Sequence, residues 1–187
     1  MRIIGGHLKG KKIFEPLDSE TRPLKDLVKE TIFNILSHSK DCGVDLISAK
    51  ILDLFSGTGS FGLECLSRGA ENVVFCENYN KSLDILLKNI KNLNLETKAQ
   101  VFNEDAFNLE KFLTNNQIFN LIFIDPPFRN NNLNQLIEHI SIMKIFDPKT
   151  LVIIHRGQKT KEEINIKFKI LREKKFGLSK ILFGKII

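Results

Sequence analysis

The stretch Ile51-Leu52-Asp53-Leu54-Phe55-Ser56-Gly57-Thr58-Gly59-Ser60-Phe61-Gly62 restricts the chain more than any other, because it reads as a short apolar strand, a glycine-rich turn and the opening of a helix. Gly57, Gly59 and Gly62 keep the G-x-G-x-x-G spacing, in which glycines permit a tight turn and let a ligand approach the backbone at a helix N-terminus. That spacing alone is a weak signal. Asp53 sharpens it, since a carboxylate at the turn repels a pyrophosphate and attracts a cationic amino-acid group. Glu77 follows the next apolar run, Val73-Val74-Phe75-Cys76, where a βαβ unit places a partner for ribose hydroxyls. A ribose is common to NAD and S-adenosylmethionine, so Glu77 does not choose between them, whereas Asp53 favours the sulfonium compound.

Two further acids follow apolar runs. Asp105 comes after Ala99-Gln100-Val101-Phe102 and is equally readable as a helix N-cap. Asp125 comes after Leu121-Ile122-Phe123-Ile124 and opens Asp125-Pro126-Pro127-Phe128. Both prolines lack an N–H, so this stretch offers acceptors and almost no backbone donors. A planar base amine needs two acceptors for its hydrogens and a π surface for its ring. Asp125 and the Pro126 carbonyl supply the acceptors and Phe128 the stacking face. Taken alone, the tetrapeptide is also readable as a strand stopped by prolines. In an open α/β sheet, however, ligands bind outside the carboxyl ends of the strands, and Asp53, Glu77, Asp105 and Asp125 end four successive predicted strands.

The remaining pattern alternates in the same way. Arg2 to Ile4 and Leu8 to Phe14, separated by Gly5-Gly6, predict a β-hairpin. Pro23 introduces a helix whose Leu24, Leu27, Val28, Thr31, Ile32, Ile35 and Leu36 follow helical spacing. Strands are expected at 51–54, 72–76, 98–102, 119–124 and 150–154, with helices at 60–68, about 80–93, 106–114 and 132–141. Beyond Gly157 the stretches 164–173 and 179–187, joined across Phe176-Gly177-Leu178, predict a terminal β-hairpin. A mostly parallel sheet closed by an antiparallel strand follows. The run Asn130-Asn131-Asn132 is a candidate lid.

The Asp53 to Gly59 stretch, Glu77-Asn78, Asn103-Glu104-Asp105-Ala106 and Asp125-Pro126-Pro127-Phe128 resemble the motifs of class I S-adenosylmethionine-dependent methyltransferases acting on amino groups. Met1-Arg2-Ile3-Ile4-Gly5-Gly6, Arg22-Pro23, the helix segment from Lys29 to Leu36, and Phe61 to Ala70 are similar to the RsmD family, which methylates N2 of a guanine in 16S ribosomal RNA. The resemblance spans nearly the whole chain. It departs where this chain has Leu24, Leu27 and His155, in place of a Thr, an Arg and an acid at the end of the fifth strand. It implies a Rossmann-like α/β fold with a doubly wound, mostly parallel seven-stranded sheet, order 3-2-1-4-5-7-6, strand 7 antiparallel. One domain is expected, an N-terminal hairpin and helix extension over 1–40 and a catalytic core over 41–187. The resemblance also implies S-adenosylmethionine as cofactor, touched by Asp53, Phe55, Gly57, Gly59, Glu77, Asn78, Asp105 and Ala106. Asp125, Pro126, Pro127 and Phe128 form the catalytic loop. Arg2, Lys9, Lys11, Lys12, Arg22 and Arg129 are candidates for RNA contact, with the small subunit or its assembly intermediate as partner and a monomer as the working form.

The net charge of +6 is unevenly placed. Residues 1–12 carry Arg2, Lys9, Lys11 and Lys12 without an acid, and 155–187 carry ten Lys or Arg against three Glu, so the middle is net negative. Basic ends beside an acidic centre suit a phosphate-tracking surface next to a carboxylate-lined site. A diffuse lysine-rich surface is the plainer reading. With no run of about 18 apolar residues and no apolar signal core, a cytoplasmic, non-membrane protein is expected. Cys42, Cys65 and Cys76 and the four histidines show no metal-ligand spacing, so reduced, buried cysteines and no metal are expected. Alternatives remain open: an amine methyltransferase acting on DNA adenine or cytosine, another RNA or a protein amide, a nicotinamide-dependent dehydrogenase, or a noncatalytic RNA-binding protein.

Overall fold

In a computed structural model that describes residues 1–15, 24–127, 132–160 and 164–187, the apolar runs form the strands Lys50–Leu54 (β1), Asn72–Cys76 (β2), Ala99–Phe102 (β3), Leu121–Ile124 (β4) and Leu151–Gly157 (β5). These pair in parallel, and β1, β2, β4 and β5 are buried along nearly their whole length, as strands covered on both faces must be. Phe168–Phe176 (β6) and Ser179–Ile186 (β7) form the terminal hairpin, with β7 antiparallel to β5. The order is β3-β2-β1-β4-β5-β7-β6, as the resemblance implied.

Helices Asp26–His38 (α1), Ser60–Ser67 (α2) and Asn80–Asn92 (α3) pack with the N-terminal segment on one face, and Leu133–Met143 (α4) covers the other. Phe33, Phe61 and Phe123 stack in sequence, with centroids 5.3 and 4.0 Å apart, and so tie α1 through α2 to β4. A Cβ on Gly62 would lie 2.3 Å from the Phe75 ring of β2, so glycine alone lets α2 approach the sheet this closely. The three cysteines are free and buried, and burial pushes the Cys76 thiol up to about 12.

Three expectations need correction. The N-terminal hairpin is shorter than expected: one antiparallel bridge, Arg2 to Lys12, is flanked by Ile3 N–H to the Lys11 carbonyl, Gly10 N–H to the Ile3 carbonyl and Ile13 N–H to the Met1 carbonyl, while the residues between bond to α2 instead. Ile4 N–H donates to Glu64, the Ser67 hydroxyl donates to the Gly5 carbonyl, and His7 and Leu8 N–H both donate to Ser67. The helix expected over 106–114 is only a single 3₁₀ turn, Leu109–Lys111: the Asp105 carboxylate accepts the Phe107 N–H and its carbonyl accepts that of Asn108, which closes a turn before a helix starts. Leu27 does not join the apolar face of α1 but is 67% exposed, while Lys29 and Phe33 are buried in its stead. The stretch Arg22-Pro23 lies outside the described residues.

The buried Lys29 is the joint of this layer. Its ammonium donates to the Arg2 carbonyl at 2.8 Å and to the Ser60 hydroxyl at 3.3 Å, and lies 3.9 Å from Glu64, itself fully buried. Glu64 in turn accepts from Arg68 Nε at 2.8 Å and from Ile4 N–H at 2.8 Å. Burial holds the Lys29 pKa below its ordinary value, against the opposing pull of Glu64. Removing Glu64 would take from Lys29 its buried counter-charge, leaving only the exposed Asp26 carboxylate at 3.8 Å, and would leave the Ile4 N–H without its acceptor. Glu64→Ala is expected to lower stability by about 3–5 kcal/mol in urea unfolding, and a loss under about 1 kcal/mol, the range of an exposed pair, would contradict this.

Candidate active site

The strand ends and the loops after them gather the acids. Asp53 sits within β1 and is 1% exposed. Its Oδ2 accepts the Gly62 N–H at 3.0 Å from the first turn of α2, whereas its Oδ1 is buried with no hydrogen-bond partner among the described residues. Burial pushes this carboxyl well above the usual carboxylate range, the Asp125 and Glu77 charges add to the effect, and the Gly62 N–H opposes it. Such a site favours a cation or a hydrogen-bond donor at Oδ1.

After β1 the chain turns through Phe55, Gly57 and Gly59 at φ +61°, +55° and +82°. A Cβ at Gly59 would fall 2.4 Å from Leu86 of α3. Phe55 is half-buried and meets Phe107 edge-on at 5.6 Å, forming an apolar wall. Glu77 latches this loop to the end of β2: Oε2 accepts the Gly57 N–H at 2.7 Å and Oε1 the Tyr79 N–H at 2.8 Å. Its pKa is raised by burial, which outweighs those two donors and the Asn78 N–H. Asn78 is exposed beside it. Asp105 is half-buried and Ala106 buried in the turn after β3.

Asp125 N–H reaches the Leu54 carbonyl at 3.3 Å, so the catalytic-loop candidate begins beside the glycine turn. Pro126 is buried and Pro127 exposed, while Phe128, Arg129, Asn130 and Asn131 lie outside the described residues. The end of β5 grips this loop from both faces. His155 Nδ1 lies 2.9 Å from Asp125 Oδ1, and the next residue, Arg156, donates from Nη1 to the Pro127 carbonyl at 3.4 Å. Consecutive strand residues point to opposite faces, which is how one strand supplies both contacts. His155 and Arg156 are 7% and 1% exposed. The sequence reading gave neither a role in holding this loop. The signal becomes visible only with the register, in which Ile124 pairs with Ile154 and so brings 125 beside 155.

Of the basic candidates, Arg2, Lys9, Lys11 and Lys12 are all exposed, alternating with buried Ile3 and Ile13. They are not equally placed. The bridge pair Arg2 and Lys12 adjoins the start of α2, through the Arg2 carbonyl, Lys29 and Ser60. The turn carrying Lys9 rests on Ser67, at the far end of α2, roughly 10 Å away along its axis. Arg22 lies outside the described residues. A further link went unread in the sequence: buried Asn89 of α3 donates to the carbonyls of Thr58 and Phe14 at 3.0 and 3.2 Å and accepts the Phe14 N–H at 2.6 Å. It fastens the N-terminal segment to the glycine turn.

Among the described residues no cluster of His, Cys, Asp and Glu is arranged to hold a metal ion, and no helix is long and apolar enough to cross a membrane. Comparison with known proteins agrees with the geometry. A family described as conserved hypothetical protein 95 matches residues 1–185. Ribosomal RNA small subunit methyltransferase D of Haemophilus influenzae is 34% identical over 184 residues, covering 95% of this chain and 90% of that one. The protein of the same name from Escherichia coli K12 is 36% identical over 138 residues, 73% of this chain and 65% of that one. The solved structure of yhhF from Escherichia coli has a TM-score of 0.82 at 28% identity, covering 100% of this chain and 97% of that one. An RNA methyltransferase of Salinibacter ruber, solved in complex with S-adenosyl-L-homocysteine, shares the fold at a TM-score of 0.64 and 15% identity over 88% of this chain and 94% of that one. With its sheet order, its glycine turn and its strand-end acids, the chain belongs to the RsmD family of S-adenosylmethionine-dependent methyltransferases of small-subunit ribosomal RNA.

Proposed function

We propose that the protein transfers a methyl group from S-adenosylmethionine to the exocyclic N2 of a guanine in 16S ribosomal RNA. The observation that carries this reading is the donor-poor Asp125-Pro126-Pro127 loop, hydrogen-bonded through Asp125 N–H to the end of β1 and so held next to the glycine turn. The residues present fit the cofactor. The buried Asp53 Oδ1, which has no hydrogen-bond partner among the described residues, suits its ammonium end, directly or through a bound water. Glu77 has lone pairs left for the ribose hydroxyls, Gly57 and Gly59 admit the backbone close to the ligand, and Phe55, Asn78, Asp105 and Ala106 border the adenosine. S-adenosylmethionine, when bound, supplies a methyl group on an electrophilic sulfonium.

The chain's own task is to present an amine whose lone pair is delocalised into its ring. Asp125 and the Pro126 carbonyl accept the two amine hydrogens, orient the nitrogen in line, and offset the positive charge that develops on it. Phe128 stacks on a base drawn out of the RNA. Asp125 receives the proton. Arg2, Lys11 and Lys12, with Arg22, Arg129 and more distantly Lys9, contact RNA phosphates, so that residues 1–40 serve as the RNA-facing extension of a single domain whose core is 41–187. The protein acts as a monomer in the cytoplasm, without a metal, on the small subunit or an assembly intermediate.

Two outcomes test this reading. Incubation with tritiated S-adenosylmethionine and either naked 16S RNA or small subunits lacking the modification should yield N2-methylguanosine on nucleoside analysis. Label in N6-methyladenosine, or no label on either substrate, would refute it. Asp53 gives the second. Its folded pKa lies above the unfolded value of 3.8, so both states are protonated below that value, and stability is lost as pH rises through the folded pKa. Asp53→Asn should therefore raise the melting temperature of the ligand-free protein near neutral pH while weakening S-adenosylmethionine binding at least tenfold, roughly the 1.4 kcal/mol of one charged contact. Unchanged affinity would remove Asp53 from the cofactor site.

A further inference from the structure

We propose that His155 is the positioning residue for Asp125, fixing which carboxylate oxygen meets the substrate amine. The inference rests on the amine-methyltransferase reading above and adds to it a group outside the catalytic tetrapeptide. Asp125 stands at the end of a strand and before two residues without N–H groups, so Pro126 and Pro127 cannot anchor its carboxylate as a loop normally would. Among the described residues, the contact that does so is His155 Nδ1 on Asp125 Oδ1, at 2.9 Å. His155 is 7% exposed and lies on β5, whose pairing with β4 runs through Ile124 and Ile154 immediately before the two residues. The support is therefore rigid strand, not loop.

An ionised carboxylate only accepts hydrogen bonds, so the Nδ1 position carries the proton and donates. With Oδ1 committed to His155, Oδ2 is left for the amine. Arg156 holds the Pro127 carbonyl from the other face of the strand, so the loop is braced on either side of Pro126, which carries the second acceptor. In the transfer the N–C bond forms as the S–C bond breaks, the sulfur keeps the bonding pair as a neutral thioether, and the nitrogen becomes cationic. The amine then loses one proton to Oδ2, giving neutral Asp125 and the neutral methylated amine. His155 keeps its own proton throughout, which distinguishes positioning from proton relay. Misplacing an acceptor by about 1 Å costs on the order of a hundredfold in rate.

The test compares His155→Asn with His155→Gln, two amides of similar polarity. The Asn side-chain amide takes the place of Nδ1 and reaches Asp125, whereas that of Gln takes the place of Nε2 and does not. With saturating RNA, H155Q should lose roughly tenfold to a hundredfold in kcat, with the KM for S-adenosylmethionine and the affinity for S-adenosylhomocysteine essentially unchanged, and H155N should recover most of the rate. Equal kcat in the two variants, or a loss confined to KM, would overturn the positioning role while leaving the methyltransferase reading intact. A wild-type protein that binds S-adenosylmethionine but methylates no RNA would overturn the reading beneath it.

Discussion

One row of paired residues organises the molecule: Phe102, Cys76, Leu54, Ile124, Ile154 and Leu182 lie side by side across six strands, each matched to its neighbour in register. Because the parallel strands reach this row together, the residues that follow it emerge at one level. Glu77, Phe55, Asp125 and His155 are those residues, and Asp53 stands one position below. A slip of one residue in any pair would send a whole strand's side chains to the opposite face and scatter the acids. The apolar content of the row is what prevents the slip, since each of its members is buried on a covered face except Phe102, which is half-buried in the edge strand β3.

The same alignment carries an electrostatic cost. Three carboxylates, Asp53, Glu77 and Asp125, are drawn toward one another in a region that burial has largely stripped of water, and two of them are pushed up in pKa. Backbone N–H groups relieve part of this, with Gly62 serving Asp53 and Gly57 and Tyr79 serving Glu77. His155 relieves Asp125 by a side chain instead. The buried Asp53 oxygen that has no hydrogen-bond partner among the described residues is the part left unrelieved. Local violation of good packing chemistry at a binding site, offset by a sound framework around it, is the usual signature of function.

Much of this was legible in the sequence because strands β1 to β5 are short apolar runs ending in acids or glycine, and periodicity found them to within a few residues. The terminal hairpin was equally clear. What escaped reading has a common cause in side chains that compete for backbone groups over long separations. Ser67 and Glu64 take backbone groups of Ile4 to Leu8 and so shorten the N-terminal hairpin, and Asp105 closes its own turn where a helix was expected. Lys29, Asn89, His155 and Arg156 were unreadable as partners because each acts on a segment brought near only by the assembled sheet. Leu27 shows the reverse error, an apolar residue at near-helical spacing that the folded chain leaves outside.

The central claim is a division of labour along the strand ends, in which Glu77 serves the cofactor and Asp125 serves the amine. Equilibrium dialysis of S-adenosylmethionine against Glu77→Ala and Asp125→Ala tests it directly. The account predicts affinity at least tenfold weaker for Glu77→Ala, the equivalent of losing about 1.4 kcal/mol, and within a few-fold of the wild type for Asp125→Ala. Equal weakening by both substitutions, or weakening by Asp125→Ala alone, would contradict it.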